Sequence, residues 1–340
     1  MHSPQLAKAL QQKIDLLTKP IGSLGKIERI ALKLGLLQQT LTPDVSKKRH
    51  IVFAADHAIT EEGVSAYPSS VTAQMVLNFL RGGAGVNVFG RLNGVEVKVV
   101  DVGVDYEFEQ GTELIQKKVR RGARNFMCEP ALKLDEVQQA IAVGREMVMS
   151  AKQDDIQLLS LGEMGIGNTT SAAAIAAVLT DCSPLDLACY GTGIDESRRQ
   201  HKAKIIEMAI AKHRPNPSDA LDILCKVGGL EIAAIMGACL AARSHHLPVI
   251  LDGYICLAGG ALACVEDKDV EQCLFGSHKG VELAHRKLIE FIRLEDFLDL
   301  DMRLGEGTGA VLATNVFEAA CRMMKEMATF DSAHIDQKNV

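Results

Sequence analysis

Tryptophan is absent from the 340 residues, tyrosine occurs 4 times, and aromatic residues together make up 4%. So few rings offer no stacking platform for nucleobases. No lysine/arginine run exceeds Lys47-Lys48-Arg49, and the formal charge is -6. Nucleic acid is therefore excluded as a main partner. No apolar run is long enough to span a bilayer, which argues against a membrane partner. The segment Met1 to Thr18 is interrupted by Lys8, Lys13 and Asp15 and lacks the apolar centre of a signal peptide, so a cytoplasmic location is expected. The 9 cysteines contain no Cys-x-x-Cys pair, and several lie inside apolar runs such as Ile255-Cys256-Leu257. They are expected to be small buried thiols in a reducing compartment, not disulfides or a metal cluster. The 10 histidines show neither His-Glu-x-x-His nor His-x-His spacing. No acidic cluster suited to magnesium on a diphosphate is present, so no metal and no cofactor are expected.

The chain is 47% hydrophobic, ample for a large core, and its length suits two domains or one large domain with an added lobe. Helical periodicity runs over residues 5–18 and 24–40, broken at Lys19-Pro20-Ile21-Gly22; Pro20 cannot continue a helix interior, and Ser23 can cap the next helix. The apolar run Ile51 to Ala55 reads as a strand closed by Asp56-His57. One long helix is expected from Val71 to Leu92, then an alternating strand, Val95 to Asp101. A helix over 134–152, a strand from Ile156 to Leu161, a helix from Thr169 to Leu179 and a strand from Pro248 to Asp252 follow. Strands alternating with helices point to an α/β fold with a mostly parallel sheet covered by helices. Ligands bind such sheets at the carboxyl ends of the strands, where this chain places Asp56-His57, Gly162-Glu163-Met164-Gly165 and Asp252-Gly253.

Two glycine-rich segments stand out. Gly162 through Thr170 is a strand–loop–helix junction in which Asn168 or Thr169 can cap the helix. A helix start with exposed N–H groups is a natural anion site, but the segment is neither Gly-x-Gly-x-x-Gly nor a P-loop. Spacing alone leaves phosphate binding and a tight helix–strand turn equally open. Gly191-Thr192-Gly193-Ile194-Asp195 precedes a helix carrying Arg198, Arg199, His201, Lys202 and Lys204, charges that complete a phosphate site or line a solvated face. Arg303-Leu304-Gly305-Glu306-Gly307-Thr308-Gly309 encloses one acid between glycines, where a ligand can approach both the carboxylate and the backbone. Asp56-His57, Ser277-His278 and His285 read as structural hydrogen-bonding groups. Met75 and Met323-Met324 read as core packing.

Taken together these segments are similar to one family, nicotinate-nucleotide–dimethylbenzimidazole phosphoribosyltransferase. The resemblance runs from Lys19-Pro20-Ile21-Gly22-Ser23-Leu24-Gly25 nearly to Met327-Ala328-Thr329-Phe330. It passes through Ala55-Asp56-His57, Glu62 to Pro68, Val71 to Met75, Asp101 to Val104, Gly162 to Thr170, Val227-Gly228-Gly229, Leu251-Asp252-Gly253 and Arg303 to Gly309. It implies exchange of the base on a ribonucleotide: nicotinate mononucleotide gives its phosphoribosyl group to 5,6-dimethylbenzimidazole, with inversion at the anomeric carbon. It implies Glu306 as the general base on the benzimidazole N–H, with Leu304 and Gly307 beside it as substrate contacts, and Glu163 as a second residue needed for activity. Lys202, with Asn168, Thr169 and the backbone around Gly165 and Gly191, is implied at the 5′-phosphate, Tyr67 and Met75 at the acceptor base, and Gly280 at the nicotinate end. Gly280 stands where a serine is common, Leu283-Ala284 where Pro-Gly is common, and Ala58 where glycine usually follows Asp-His. The implied chemistry is coherent. Nicotinate leaves from a pyridinium without an acid, the ribosyl centre gains oxocarbenium character, and one carboxylate tuned by partial burial can accept the acceptor's proton. No metal or cofactor is called for. The resemblance also implies a homodimer and a Rossmann-like domain with a small helical lobe from both chain ends. The expected division is residues 1–45 for the N-terminal helices, 46–300 for the catalytic domain and 301–340 for the glycine loop and last helix. Two other readings compete: a nucleoside phosphorylase, and a regulatory module that binds a nucleotide without turnover. The second would expect Glu306 or Glu163 to be lost, and both are present.

Overall fold

The computed structural model describes residues 4–188, 193 and 195–336. The chain opens with helices α1 (Pro4–Asp15) and α2 (Lys26–Leu37), then strand β1 (Lys48–Ala55), helices α3 (Ser70–Leu80) and α4 (Gly85–Leu92), and strands β2 (Val95–Gly103) and β3 (Ile115–Gln116). Next come α5 (Leu134–Gln153), β4 (Leu158–Met164), α6 (Asn168–Thr180), α7 (Pro184–Leu187), α8 (Glu196–His213), α9 (Ala220–Val227) and α10 (Leu230–Ser244). The chain finishes with β5 (Val249–Leu251), α11 (Tyr254–Glu266), β6 (Leu274–Phe275), α12 (Leu283–Ile292) and α13 (Thr308–Glu326).

Among the described residues the strands form one 6-stranded sheet in the order β3-β2-β1-β4-β5-β6, and every pairing is parallel. The order reverses direction between β1 and β4, and an open α/β sheet binds its ligands in the crevice at that switch. The loops after β1 and β4 therefore carry the site: Asp56-His57 follows one, and Glu163 and Gly165 end the other.

Alternation along the strands sends side chains to two separate cores. Ile51, Phe53, Leu159, Leu161 and Leu251 face α5, α6, α10 and α11. On the other face Val52 and Ala54 pack with Val76 and Phe79 of α3 and Val86 of α4. Leu158, Ile250 and Phe275 continue that face into Leu10, Leu34 and Phe317, so the helices at both chain ends pack on each other and on the sheet. Phe317 meets Phe275 edge-on at 5.0 Å and Phe297 at 5.6 Å; burying such a ring contributes about 1.5–3 kcal/mol.

The helix expected from Val71 to Leu92 is two helices, separated by Arg81-Gly82-Gly83-Ala84. The Gly82-Gly83 pair interrupts an apolar pattern that continues on both sides. The cysteine expectation also needs correction. All eight described cysteines are free, but Cys128 is exposed and Cys182, Cys225 and Cys264 are half-buried, while Cys239, Cys256, Cys273 and Cys321 are buried. Cys189 lies outside the described residues. Among the described residues no helix is long and apolar enough to cross a membrane.

Candidate active site

Glu306 lies just before α13, on a loop pressed against the sheet. Its backbone is left-handed, with φ 62°, a region that costs a residue with a Cβ. The close approach is possible because Gly162 of β4 has no side chain. A Cβ there would stand 2.4 Å from the Glu306 carbonyl oxygen and 2.7 Å from the Gly307 nitrogen. Three contacts from distant segments fix the loop. His50 of β1 meets the Glu306 carbonyl oxygen through Nε2 at 2.9 Å. Asp252, just after β5, accepts from the Gly307 N–H at 3.1 Å and the Ala310 N–H at 3.0 Å. The Glu306 carboxylate accepts from the Val86 N–H through Oε2 at 3.1 Å. The Gly85 N–H also faces this carboxylate and, like that of Val86, favours its ionised form.

The carboxylates differ in setting. Glu163 is 7% exposed, and its Oε2 accepts from the Asn168 side-chain amide. Burial pushes its pKa up to about 8, with the nearby charge of Glu231 adding to the effect and the Asn168 amide opposing it. Burial also raises the pKa of Glu306, and the charge of Asp252 adds to the rise while the Val86 N–H works against it. Burial likewise raises Asp252, opposed by His278 and by the N–H groups that it accepts from. A cavity of about 460 Å³ opens beside these groups.

Glu306, Glu163, Gly165, Asn168 and Thr169 line this cavity, as do Tyr67, Met75, Gly280 and Leu304. Lys202 is 1% exposed and is not part of the wall; its Nζ donates to the Thr169 hydroxyl at 2.7 Å. Gly307 also lies behind the wall, its N–H turned to Asp252. Gly191 lies outside the described residues. In the loop before α6, the Ile166 N–H donates to the Thr72 hydroxyl at 3.1 Å, so that amide is engaged within the protein.

A family model described as phosphoribosyltransferase matches residues 1–335. The nicotinate-nucleotide–dimethylbenzimidazole phosphoribosyltransferase of Geotalea uraniireducens is 48% identical over 330 residues, 97% of this chain and 94% of that protein. The chain belongs to the nicotinate-nucleotide–dimethylbenzimidazole phosphoribosyltransferase family. A member from Chloroflexus aggregans is 43% identical over 334 residues, 98% of this chain and 95% of that protein. The crystal structure of CobT from Thermus thermophilus matches with a TM-score of 0.95 at 40% identity, covering 98% of this chain and 100% of that one.

Several groups that shape the site in this phosphoribosyltransferase carry no sequence signal of their own. His50 sits mid-strand and reaches the Glu306 loop across 256 positions. Asp252 ends a recognisable strand, but only the fold shows which amides it holds. His57 is paired with Glu231 of α10 at 2.6 Å, and both are buried, so the Asp56-His57 pair serves a structural hydrogen bond. His278 and His285 make the structural hydrogen bonds expected of them, to Ser277 and Asp296, and both also line the cavity. His285 also explains the glycine at 280. A Cβ there would stand 2.6 Å from its Nδ1, so a serine needs the ring to move.

Proposed function

We propose that the chain transfers the 5-phosphoribosyl group of nicotinate mononucleotide to 5,6-dimethylbenzimidazole. The products are α-ribazole 5′-phosphate and nicotinate, with inversion at the anomeric carbon, and Glu306 takes the acceptor's N–H proton. One observation carries this reading. The Glu306 carboxylate borders the cavity and is pinned through Oε2 by the Val86 N–H. A base must sit within hydrogen-bond reach of the proton that it removes, with its pKa drawn toward working pH, and partial burial raises that of Glu306.

The neighbouring acid supports the division of labour. Glu163, drawn up to about 8, holds its proton at neutral pH, whereas the Val86 N–H favours the ionised form of Glu306; environments that separate two carboxyls in this way leave Glu306 as the one able to accept a proton. The donor's nicotinate departs from a pyridinium, so no proton need reach it. The acceptor nitrogen attacks the anomeric carbon from the opposite face, its other nitrogen loses the proton to Glu306, and the C–N bond to nicotinate breaks with its electron pair. The start of α6, with Thr169 and Lys202 beside it, suits the 5′-phosphate. Tyr67 and Met75 offer the flat, polarizable surface that a bicyclic base stacks on. A homodimer, which the family resemblance implies, belongs to this reading, and sedimentation velocity tests it.

The decisive assay incubates the protein with nicotinate mononucleotide, with and without the benzimidazole. Nicotinate release that requires the acceptor, together with an α-configured product by NMR, supports the reading. Release driven by inorganic phosphate from an unphosphorylated nucleoside would replace it with a phosphorylase. Glu306→Gln keeps size and polarity, and its kcat should fall by roughly 10²–10⁴-fold while donor binding changes little.

A further inference from the structure

The peptide unit joining Glu306 to Gly307 is gripped at both of its polar ends. Its carbonyl oxygen meets His50 Nε2 at 2.9 Å, and its N–H donates to Asp252 Oδ2 at 3.1 Å. A carbonyl only accepts, so Nε2 carries the hydrogen. His50 is fully buried and neutral, its pKa lowered to about 4 by burial, and Nδ1 therefore accepts from the Ser160 hydroxyl at 2.8 Å. His50 and Ser160 are register partners on adjacent strands, which fixes the plane of the ring. The ring also lies directly beneath Gly307, where a Cβ would come within 1.8 Å of Cε1.

A peptide unit is planar and rotates as a body. Turning this one over would change ψ of Glu306 and φ of Gly307, which stand beside φ values of 62° and 91°, and displacing it would carry the Glu306 Cα, and the side chain with it, off its present line. A non-glycine residue stays left-handed only where its surroundings over-determine it. Here His50 and Asp252 hold one of the two peptide units that set this conformation, from β1 and from the end of β5.

We propose that His50 is a positioning residue for the transfer: with Asp252 it locks the Glu306–Gly307 peptide in place and so keeps the Glu306 carboxylate presented to the acceptor base. The proposal rests on the reading of Glu306 as the base. His50 is buried behind the cavity wall, and its effect passes through the loop.

The test compares His50→Gln with His50→Asn, each alone and in a Glu306→Gln background, by steady-state kinetics and thermal unfolding. The Gln amide can reach the Glu306 carbonyl in place of Nε2, and the shorter Asn cannot. His50→Asn should lower kcat by about 10²-fold, the scale of a 1 Å misplacement of a reacting group, with KM for nicotinate mononucleotide little changed. His50→Gln should recover most of that loss. In the Glu306→Gln background His50→Asn should cost no more than about twofold, because residues that act through one another are not additive. Equal losses in the Gln and Asn variants, or the same loss in both backgrounds, would overturn the proposal and make His50 a packing residue. Should His50→Asn fail to fold, Ser160→Ala takes its place: a fall in kcat that vanishes in the Glu306→Gln background is expected, and one that persists overturns the proposal. A Glu306→Gln enzyme with near-full turnover would sink the base assignment itself; a crippled Glu306→Gln beside an unaffected His50→Asn would sink the positioning role alone.

Discussion

Replacing Glu163 by Gln should change how stability depends on pH. The Glu163 side chain is buried beside the cavity, and burial first, then the charges of Glu231, Asp252 and Glu306, raise its pKa from the ordinary 4.5 to about 8 against the pull of the Asn168 amide. An unfolded chain releases this proton near 4.5, whereas the folded chain keeps it until about 8. The stability conferred by the held proton is therefore complete below the lower value and is lost as pH rises through the upper one. Each pH unit inside that window is worth about 1.4 kcal/mol. The whole window thus has a ceiling on the order of 5 kcal/mol, a large share of a domain's net stability. Glutamine has nearly the same shape and no proton to lose. Urea unfolding of both proteins at intervals from about pH 5 to pH 8.5 reads the difference directly, provided that the m-values agree. The variant should gain on the wild type steadily across this range, whatever their offset at the acid end. A difference that stays flat with pH would show that Glu163 titrates at an ordinary value when folded, and would remove the reason for treating it as the neutral partner of Glu306.

Two further outcomes bear on the substrate contacts. Lys202→Ala should weaken nicotinate mononucleotide more than nicotinate riboside, by the roughly 2–5 kcal/mol seen when one partner of a buried charge pair is truncated; equal effects on the two, by competition binding, would remove Lys202 from the phosphate. Benzimidazole should serve as an acceptor with only a modest deficit against its dimethyl form, because methyl groups in an apolar pocket discriminate by about 1–3 kcal/mol. Met75→Ala should shrink that preference, and an unmoved kcat/KM ratio would take Met75 out of the acceptor pocket.

The strands β1, β2, β4 and β5 were legible because each is an apolar or alternating run of useful length, and the order of strands and helices points to a parallel sheet. β3 and β6 are two residues each, too short to carry a period. α10 lies in the middle of one core with most of its residues buried on every side, so it has no polar stripe to mark it as a helix. In the site, the glycine-flanked Glu306 and the Gly162 to Thr169 junction announce themselves, since a backbone that must approach something closely leaves glycine behind. Gly162 itself shows the limit: in sequence it looks like part of a ligand loop, but the space that it leaves is filled by the protein's own Glu306 peptide. Asp252 was marked only by its place at the end of a strand, and His50 was not legible as a site residue at all, because a buried histidine in a strand acquires its meaning only from what the fold sets against it.

The grip on the Glu306–Gly307 peptide also has a history in time. His50 leaves the ribosome early, within the first strand of the sheet, whereas the loop that it holds follows 256 residues later. Contacts so far apart in the chain are among the slowest to close, since the entropy of the intervening loop must be overcome first. A nascent or refolding molecule can complete β1 to β5 and bury much of its core while Glu306 still lies at random. Competence for transfer is then the last property gained, arriving only when the end of the chain settles onto strands laid down long before.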